Sequence, residues 1–373
     1  MPWPSVRLGD VCDFRYGKSL PASQRQRGGI RVYGSNGPVG THDVSITSGS
    51  TIVIGRKGSV GEVHFSAEGC WPIDTTYYVD ATTTSVDLQW LYYRLRDLGL
   101  TRMNKAAAVP GLNRDDAYRL ALLLPPIEEQ RRIADILDRA DALRAKRREA
   151  LAHLDDLTRS IFLDMFDEPN QKWQTTEVGD LVNPDAGGIR TGPFGSQLLH
   201  SEFVDDGIAV LGIDNAVTNR FTWSGRRYIT RHKYDQLVRY TVHPGDVLIT
   251  IMGTCGRAAI VPDHVPVAIN TKHLCCISLD RSRCLPEFLH SCFLIHPAAR
   301  RYLNSTAKGA IMSGLNMGII KTMPIIVPPL TLQAEFVKRL RAAESSNQTC
   351  RAQLAELDTL FAALQQRAFA GEL

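Results

Sequence analysis

One phrase of this chain is written twice at a fixed spacing, and that repetition limits the possible folds more than any other property. Gly111-Leu112-Asn113, Leu124-Pro125-Pro126-Ile127 and Gln130 return as Gly314-Leu315-Asn316, Val327-Pro328-Pro329-Leu330 and Gln333, each displaced by 203 positions. Self-similarity of this kind means that one structural unit is built twice. The repeat reaches further, but its offset drifts. Trp3 with Leu8-Gly9-Asp10 matches Trp173 with Val178-Gly179-Asp180 at 170, and Gly58-Ser59-Val60-Gly61 matches Gly253-Thr254-Cys255-Gly256 at 195. Asp74-Thr75-Thr76 is matched with Asn270-Thr271-Lys272 at 196, so the second copy gains 25 residues early (195 − 170) and 7 later (203 − 196). A shared framework with unequal loops is what two binding units of different specificity require.

A long amphipathic pattern follows each copy. Ile133, Ile136, Ala140, Leu143, Ala150, Leu154, Leu157 and Ile161 recur at steps of three and four, with Arg147 in one seam position. Phe336, Leu340, Ala343, Cys350, Leu354, Leu357, Phe361 and Leu364 do the same, softened by Ser346, Asn347 and Gln348. Such a stripe is a coiled-coil seam. Pro125-Pro126 suits a helix start, and Glu128-Glu129 then meet the positive end of the helix dipole. A helix of about 40 residues is ~60 Å long. A narrow seam needs a partner, and the other helix of the chain, running antiparallel about a pseudo-two-fold axis, supplies it.

Between the helices the signals are mixed. Ser50–Gly55 and Asp246–Met252 are β-branched runs bounded by glycine and read as strands. Leu88–Leu98 and Pro286–Tyr302 read as helices, and Gly-Ser-Asn-Gly at 34–37 and Gly-Pro-Phe-Gly at 192–195 as turns. The fold class is therefore α+β: two α/β domains in pseudo-two-fold arrangement, separated by two long antiparallel coiled-coil helices. With 373 residues, 44% of them hydrophobic, each half can bury its own core. Eight dispersed cysteines without a CxxC pair read as buried thiols of a reducing compartment. No apolar leader or membrane-length run is seen, so a cytoplasmic location is expected.

Familiar catalytic arrangements are missing. Gly17-Lys18-Ser19 ends like a phosphate-binding loop, but Cys12 stands where that loop needs glycine. Pro262-Asp263 with Asn270-Thr271-Lys272 lacks the second acid of a metal-dependent nuclease, and Asn183-Pro184-Asp185 falls short of a base-methylation motif. His264, His273, His290 and His296 have no zinc-like spacing with the cysteines. What remains is polar and basic decoration on turns, the side-chain chemistry that reads base edges. The candidates are Tyr33, Ser35, Asn36, Arg56, Lys57, Ser59 and Thr75 in the first unit, and Arg190, Thr191, Ser196, Gln197, Thr254, Arg257, Asn270, Lys272 and His273 in the second. The net charge of +4 permits a nucleic-acid partner without demanding one. A protein–protein scaffold on a two-domain helical rod is the alternative reading.

Taken in order, these phrases resemble the specificity subunit of type I restriction–modification systems. Val32–Gly40, Gly55–Gly61 and Trp71–Thr75 look like one target-recognition domain of that family, and Ile189–Gln197 with Pro244–Ile249 like another. The Leu-Pro-Pro-Ile-x-Glu-Gln start of the central helix, Met165-Phe-Asp167 and Ala368-Phe-Ala-Gly-Glu-Leu373 are similar to its helical regions, although Leu332 stands where the first copy has Glu129. The resemblance implies target-recognition domains at 1–125 and 169–328, a central helix at 126–168 and a C-terminal helix at 329–373. It implies a non-catalytic subunit that reads an asymmetric bipartite site in double-stranded DNA and joins two methyltransferase subunits and motor–nuclease subunits. No cofactor is expected in this chain; S-adenosylmethionine, ATP and magnesium would serve the partners.

Overall fold

The computed structural model describes residues 3–103, 111–167, 173–223, 227–308 and 314–373. Met1 and Pro2 lie outside them. The chain forms two compact units: unit 1 is Met1–Ala150 with Cys350–Leu373, and unit 2 is Leu151–Thr349. Each long helix, Ile127–Phe166 and Leu330–Ala370, thus gives one part to each unit.

Unit 1 holds an antiparallel sheet in the order Arg15–Tyr16, Thr76–Asp80, Thr51–Gly55, Val63–Ser66. A second sheet runs Gly37–His42, Ile30–Gly34, Trp71–Pro72, its last pair parallel, and a ribbon joins Ser5–Arg7 to Ala121–Leu123. Unit 2 repeats the first sheet as Ile189–Thr191, Leu274–Ile277, Val247–Thr250, Ala258–Ile260, and the ribbon as Thr175–Glu177 with Pro324–Ile326. Its second sheet keeps the parallel pair, Ile208–Leu211 with Ala268–Asn270, and grows to five strands by adding Phe203–Val204, Tyr228–Ile229 and Thr241–Val242.

Backbone hydrogen bonds fix which residues correspond. Leu8 N–H to Leu120 O (2.9 Å) answers to Val178 N–H to Met323 O (3.0 Å), giving offsets of 170 and 203. Ile73 N–H to Tyr33 O and Thr271 N–H to Leu211 O, both 2.9 Å, give 178 (211 − 33) and 198 (271 − 73). Gly61 N–H to Gly55 O and Gly256 N–H to Thr250 O, both 2.8 Å, give 195. The expected match of Thr75 with Thr271 is corrected by strand register. Gly55 faces Thr76 and Thr250 faces Leu274, so the offset there is 198 (274 − 76), and Thr75 corresponds to His273. The late insertion therefore enters in two steps, 3 residues (198 − 195) and 5 (203 − 198). Three turn residues are hard to see in sequence because they leave both flanking strands in register.

The helices dock through repeated devices. Gln130 is buried; its Oε1 accepts from Asp87 N–H at 2.8 Å and its Nε2–H donates to Pro125 O at 2.8 Å. Gln333 does the same with Leu285 N–H (2.9 Å) and Pro328 O (2.8 Å). At the far ends, Phe166 packs on Phe288 (5.0 Å between centroids) in unit 2 and Phe369 on Trp90 (6.5 Å) in unit 1. These pairs again correspond, at 203 and 198.

Within unit 1 the two helical segments run antiparallel: Arg132 Nη2 reaches Leu373 O at 2.7 Å, and Arg144 Nε reaches Asp358 Oδ1 at 2.6 Å. Within unit 2, Phe162 meets Phe336 with ring centroids 5.5 Å apart. The first seam lies one residue off the expected line at alternate positions. Leu137 and Phe162 are buried where Ile136 and Ile161 were expected, while Leu143 and Leu157 are 53% and 43% exposed. Arg144 takes the place of Leu143, stacked on Phe361 at 4.3 Å and paired with Asp141 and Asp358. An arginine that buries its stem and pairs its head satisfies a seam that a hydrophobicity pattern cannot assign to it. Leu88–Asp97 is helical as expected, but the second such stretch breaks into Pro286–Leu294 and Pro297–Lys308, because Pro297 has no N–H to continue the ladder.

Candidate nucleic-acid interface

Three turns and one crossing strand meet on unit 1. The Gly55–Gly61 turn carries Arg56, Lys57 and Ser59; Gly58 and Gly61 have φ of +80° and +76°, which a side chain would strain. Arg56 N–H and Lys57 N–H both donate to Thr75 O (2.9 and 3.1 Å), and Arg56 Nη2 donates to Asp74 O at 2.7 Å. A Cβ on Gly58 would lie 3.2 Å from Ser35 Oγ, so the Ser35–Asn36 hairpin tip abuts the same turn. Leu112 N–H closes the cluster by donating to Arg56 O at 2.8 Å. Six of the seven expected residues, Ser35, Asn36, Arg56, Lys57, Ser59 and Thr75, are thus gathered on one face, exposed or half-buried.

Tyr33 is the exception. It is 2% exposed, packs with Val53 and Cys70, and its hydroxyl donates to Phe65 O at 3.4 Å. It sits on the central strand of its sheet, Ile30–Gly34, whose last three residues are all buried.

Sequence reasoning missed Tyr16, Lys18 and Arg114. Tyr16 is 53% exposed and lies under two guanidiniums, Arg56 at 5.2 Å and Arg114 at 5.6 Å. Arg56 also stands 5.9 Å from the Tyr77 ring, and Arg114 5.7 Å from Tyr118. Burial, then the neighbouring Tyr16 hydroxyl, pushes the Tyr77 phenol up to about 12. Lys18 reaches this face because Gly17 crosses directly over the 72–73 backbone, where a Cβ would meet Ile73 O at 2.2 Å. That crossing is the structural role of the Gly-Lys-Ser phrase. Arg114 was visible only as the residue after the repeated Gly-Leu-Asn, a place where the second copy has Met317.

Unit 2 builds the same frame with different contents. Gly253 and Gly256 again have positive φ (+70° and +76°), Ile251 N–H donates to His273 O (3.0 Å), and Leu315 N–H to Ile251 O (2.8 Å). Ile213 takes the place of Ser35, 3.4 Å from a Cβ on Gly253. Thr191, Thr254, Arg257, Lys272 and His273 are exposed or half-buried, with Gly192 pressed on the Asn270–Thr271 backbone. A cleft of about 620 Å³ opens beside them, lined by His200, Phe203, Asp214, Arg227, Thr271 and His273. Burial, then the charges of Lys272 and Arg227, holds the His273 imidazole below its usual range. Arg227, paired with Asp214, is a further residue that sequence reasoning missed. Ser196 and Gln197 lie on the Gly195–Gln197 turn and are exposed, with Gln197 Oε1 accepting from Tyr240 Oη–H at 3.0 Å.

Two expected contacts of unit 2 prove to be internal. Arg190 is 8% exposed; Nη2 pairs with Asp246 Oδ2 at 2.8 Å and donates to Thr241 O, while Nη1 donates to Ser278 Oγ at 2.9 Å. Its counterpart Arg15 is exposed, because only unit 2 adds the Thr241–Val242 strand and the acid that follow its insertion. Asn270 is fully buried in the parallel pair, its Nδ2–H donating to Leu274 O at 3.0 Å. Among the described residues no cluster of His, Cys, Asp and Glu could hold a metal ion, and no helix is long and apolar enough to cross a membrane.

The family model of the type I restriction modification DNA specificity domain matches residues 1–153 and 170–359, once for each copy of the frame. This chain belongs to that family. The EcoBI type I restriction enzyme specificity subunit of Escherichia coli is 25% identical over 68% of the chain, and the chain spans only 58% of that relative's length. The MjaVIII specificity subunit of Methanocaldococcus jannaschii is 21% identical over 92% of the chain and 86% of its own length. Among solved structures, a type I S subunit from M. genitalium covers 98% of the chain and 96% of itself at a TM-score of 0.67 and 13% identity. A structure described as underlying complex assembly and conformational transition of the type I system gives 0.59 at 16% identity, covering 100% of the chain and 98% of itself. At these identities the structural likeness establishes the specificity-subunit fold, two α/β units with two long helices.

Proposed function

We propose that this chain is the DNA-reading subunit of a type I restriction–modification complex. One observation carries the reading: the same hydrogen-bonded turn frame occurs in both units and bears different polar and basic side chains in each. Phosphate contacts position such a protein and base contacts specify its site. Two unlike readers require an asymmetric, bipartite target, with half-sites about 10 bp apart centre to centre. The two long helices, whose offset stays at 203 along both docking ends, would set that separation. Two methyltransferase subunits and the motor–nuclease subunits would use S-adenosylmethionine, ATP and magnesium, with this chain contributing no catalytic group, in the cytoplasm.

The test is to exchange residues 1–125 for the corresponding unit of another family member and to map methylated adenines in the host genome. The expected result is a change in one half-site, with the other half-site and the spacing intact. A change in both, or in neither, refutes modular reading. Binding to duplex DNA that is indifferent to salt would favour a protein–protein scaffold, since phosphate contacts release counterions.

A further inference from the structure

We propose that Tyr16, Arg56 and Arg114 form a backbone-phosphate seat that only unit 1 possesses. The inference rests on the DNA-reading function above and deepens it. The two guanidiniums lie over one half-exposed ring, 5.2 and 5.6 Å from its centroid, and are held there by backbone acceptors: Asp74 O for Arg56 (2.7 Å) and Phe14 O for Arg114 (3.3 Å). Among the described residues neither forms an ion pair, whereas the nearby Arg119 pairs with Asp116 at 3.1 Å. The nearby Asp13 carboxylate is engaged by the Tyr118 hydroxyl at 2.8 Å. Arg56 Nε is buried without a hydrogen-bond partner, so this charge is already partly stripped of water. Lys18 and Lys57 are exposed on adjoining loops and extend the positive field.

Two pre-positioned, uncompensated guanidiniums suit a phosphate, whose oxygens match their planar forks. An arginine stacked on a ring also loses less side-chain freedom on binding. The strand, turn and helix positions that carry the seat exist in unit 2 with other occupants. Register pairs Tyr16 with Tyr77 and Thr191 with Cys275, so Thr191 and Cys275 stand for the two tyrosines. Ile251 stands for Arg56, Met317 for Arg114 and Lys321 for Tyr118. The frame therefore does not create the seat; the side chains of unit 1 do.

The experiment measures equilibrium binding of the full-length chain to two duplexes across a salt series, one carrying both methylated half-sites and one of scrambled sequence. Arg114→Met, the residue found in unit 2, is expected to reduce the slope of log K against log salt by about 1 on both duplexes. Arg56→Met should do the same independently, and Arg119→Met, with the same charge change at the C-cap of the same short helix, should leave the slope unaltered. Melting temperatures of all three establish that each chain is folded. An unchanged slope for Arg114→Met overturns the seat, and so does a loss confined to the cognate duplex, which would make the cluster a base reader. If the wild-type chain itself shows no salt-steep binding to either duplex, it is the DNA-reading function that fails.

Discussion

Unit 1 and unit 2 hold their turns with the same bonds and fill them with opposite chemistry. In unit 1 the strand Arg15–Tyr16 lies at an open sheet edge, and its side chains join an exposed aromatic and basic surface. In unit 2 the matching strand, Ile189–Thr191, is covered by the inserted segment, so the corresponding arginine turns from surface charge into half of a buried ion pair. The lesson is that an insertion changes a site twice: it adds residues of its own, and it reassigns the residues it covers. Alignment of the two copies finds the first effect and hides the second.

The sharpest way to break this comparison is the arginine itself. Arg190→Met leaves Asp246 buried without its counter-charge and should cost about 3–5 kcal/mol. Arg15→Met, at the same framework place, should stay within about 0.5 kcal/mol. Denaturant titrations of both variants measure the gap, and equal losses would mean that the two strands are in equivalent surroundings after all.

A second contrast is in pH. Burial holds His290, His296 and His273 below the ordinary imidazole range, all three in unit 2; at His290 it outweighs the opposing hydrogen bonds of Nε2–H to Asn219 O (3.1 Å) and Ala258 O (3.0 Å). A depressed folded pKa means that the unfolded chain binds the extra proton first. Stability contributed by these rings is therefore whole above the unfolded value of about 6.5 and is lost as pH falls below it. Hydrogen exchange between pH 7 and pH 5 should show the strands of unit 2 opening more readily while those of unit 1 hold. Parallel behaviour of the two units would count against this assignment.

The smallest effect concerns thiols. Burial pushes Cys12 up to about 12 in unit 1, and Cys275 and Cys284 up to about 12 in unit 2, so these should resist alkylation in the folded protein. Cys255 is half-buried on the unit 2 turn, at the place of Val60 in unit 1, and should be modified first by iodoacetamide. Mass spectrometry of a short labelling time course reads the order, and prior labelling of Cys12 would contradict it.

Much of this was legible in the sequence for a definite reason. Gly58, Gly61, Gly253 and Gly256 could be matched because positive φ admits little but glycine, and Gln130 and Gln333 because each side chain ties a helix start to backbone groups on two separate segments at once. Side chains under looser constraint misled. Tyr33 and Asn270 are polar residues in short strands that are buried on both faces at those positions, and a polar side chain there looks in sequence like one on a turn. Arg144 occupies a seam position that hydrophobicity gives to Leu143, since its charge is satisfied by Asp358 from more than two hundred residues away. Arg114 and Tyr16 become neighbours only through the fold, so no local pattern could have joined them.

The closing of each core by a phenylalanine at the far end of a long helix has a consequence for biosynthesis. Unit 2 is one continuous stretch, whereas unit 1 waits for Ala368 and Phe369 to fill the space beside Trp90. Unit 1, though most of it is made first, cannot close its core until the last residues of the chain are made. The usual arrangement in which the N-terminal domain is complete first does not apply, and a chain truncated before residue 350 would keep every residue of unit 2 and lack the Ala368–Phe369 closure of unit 1.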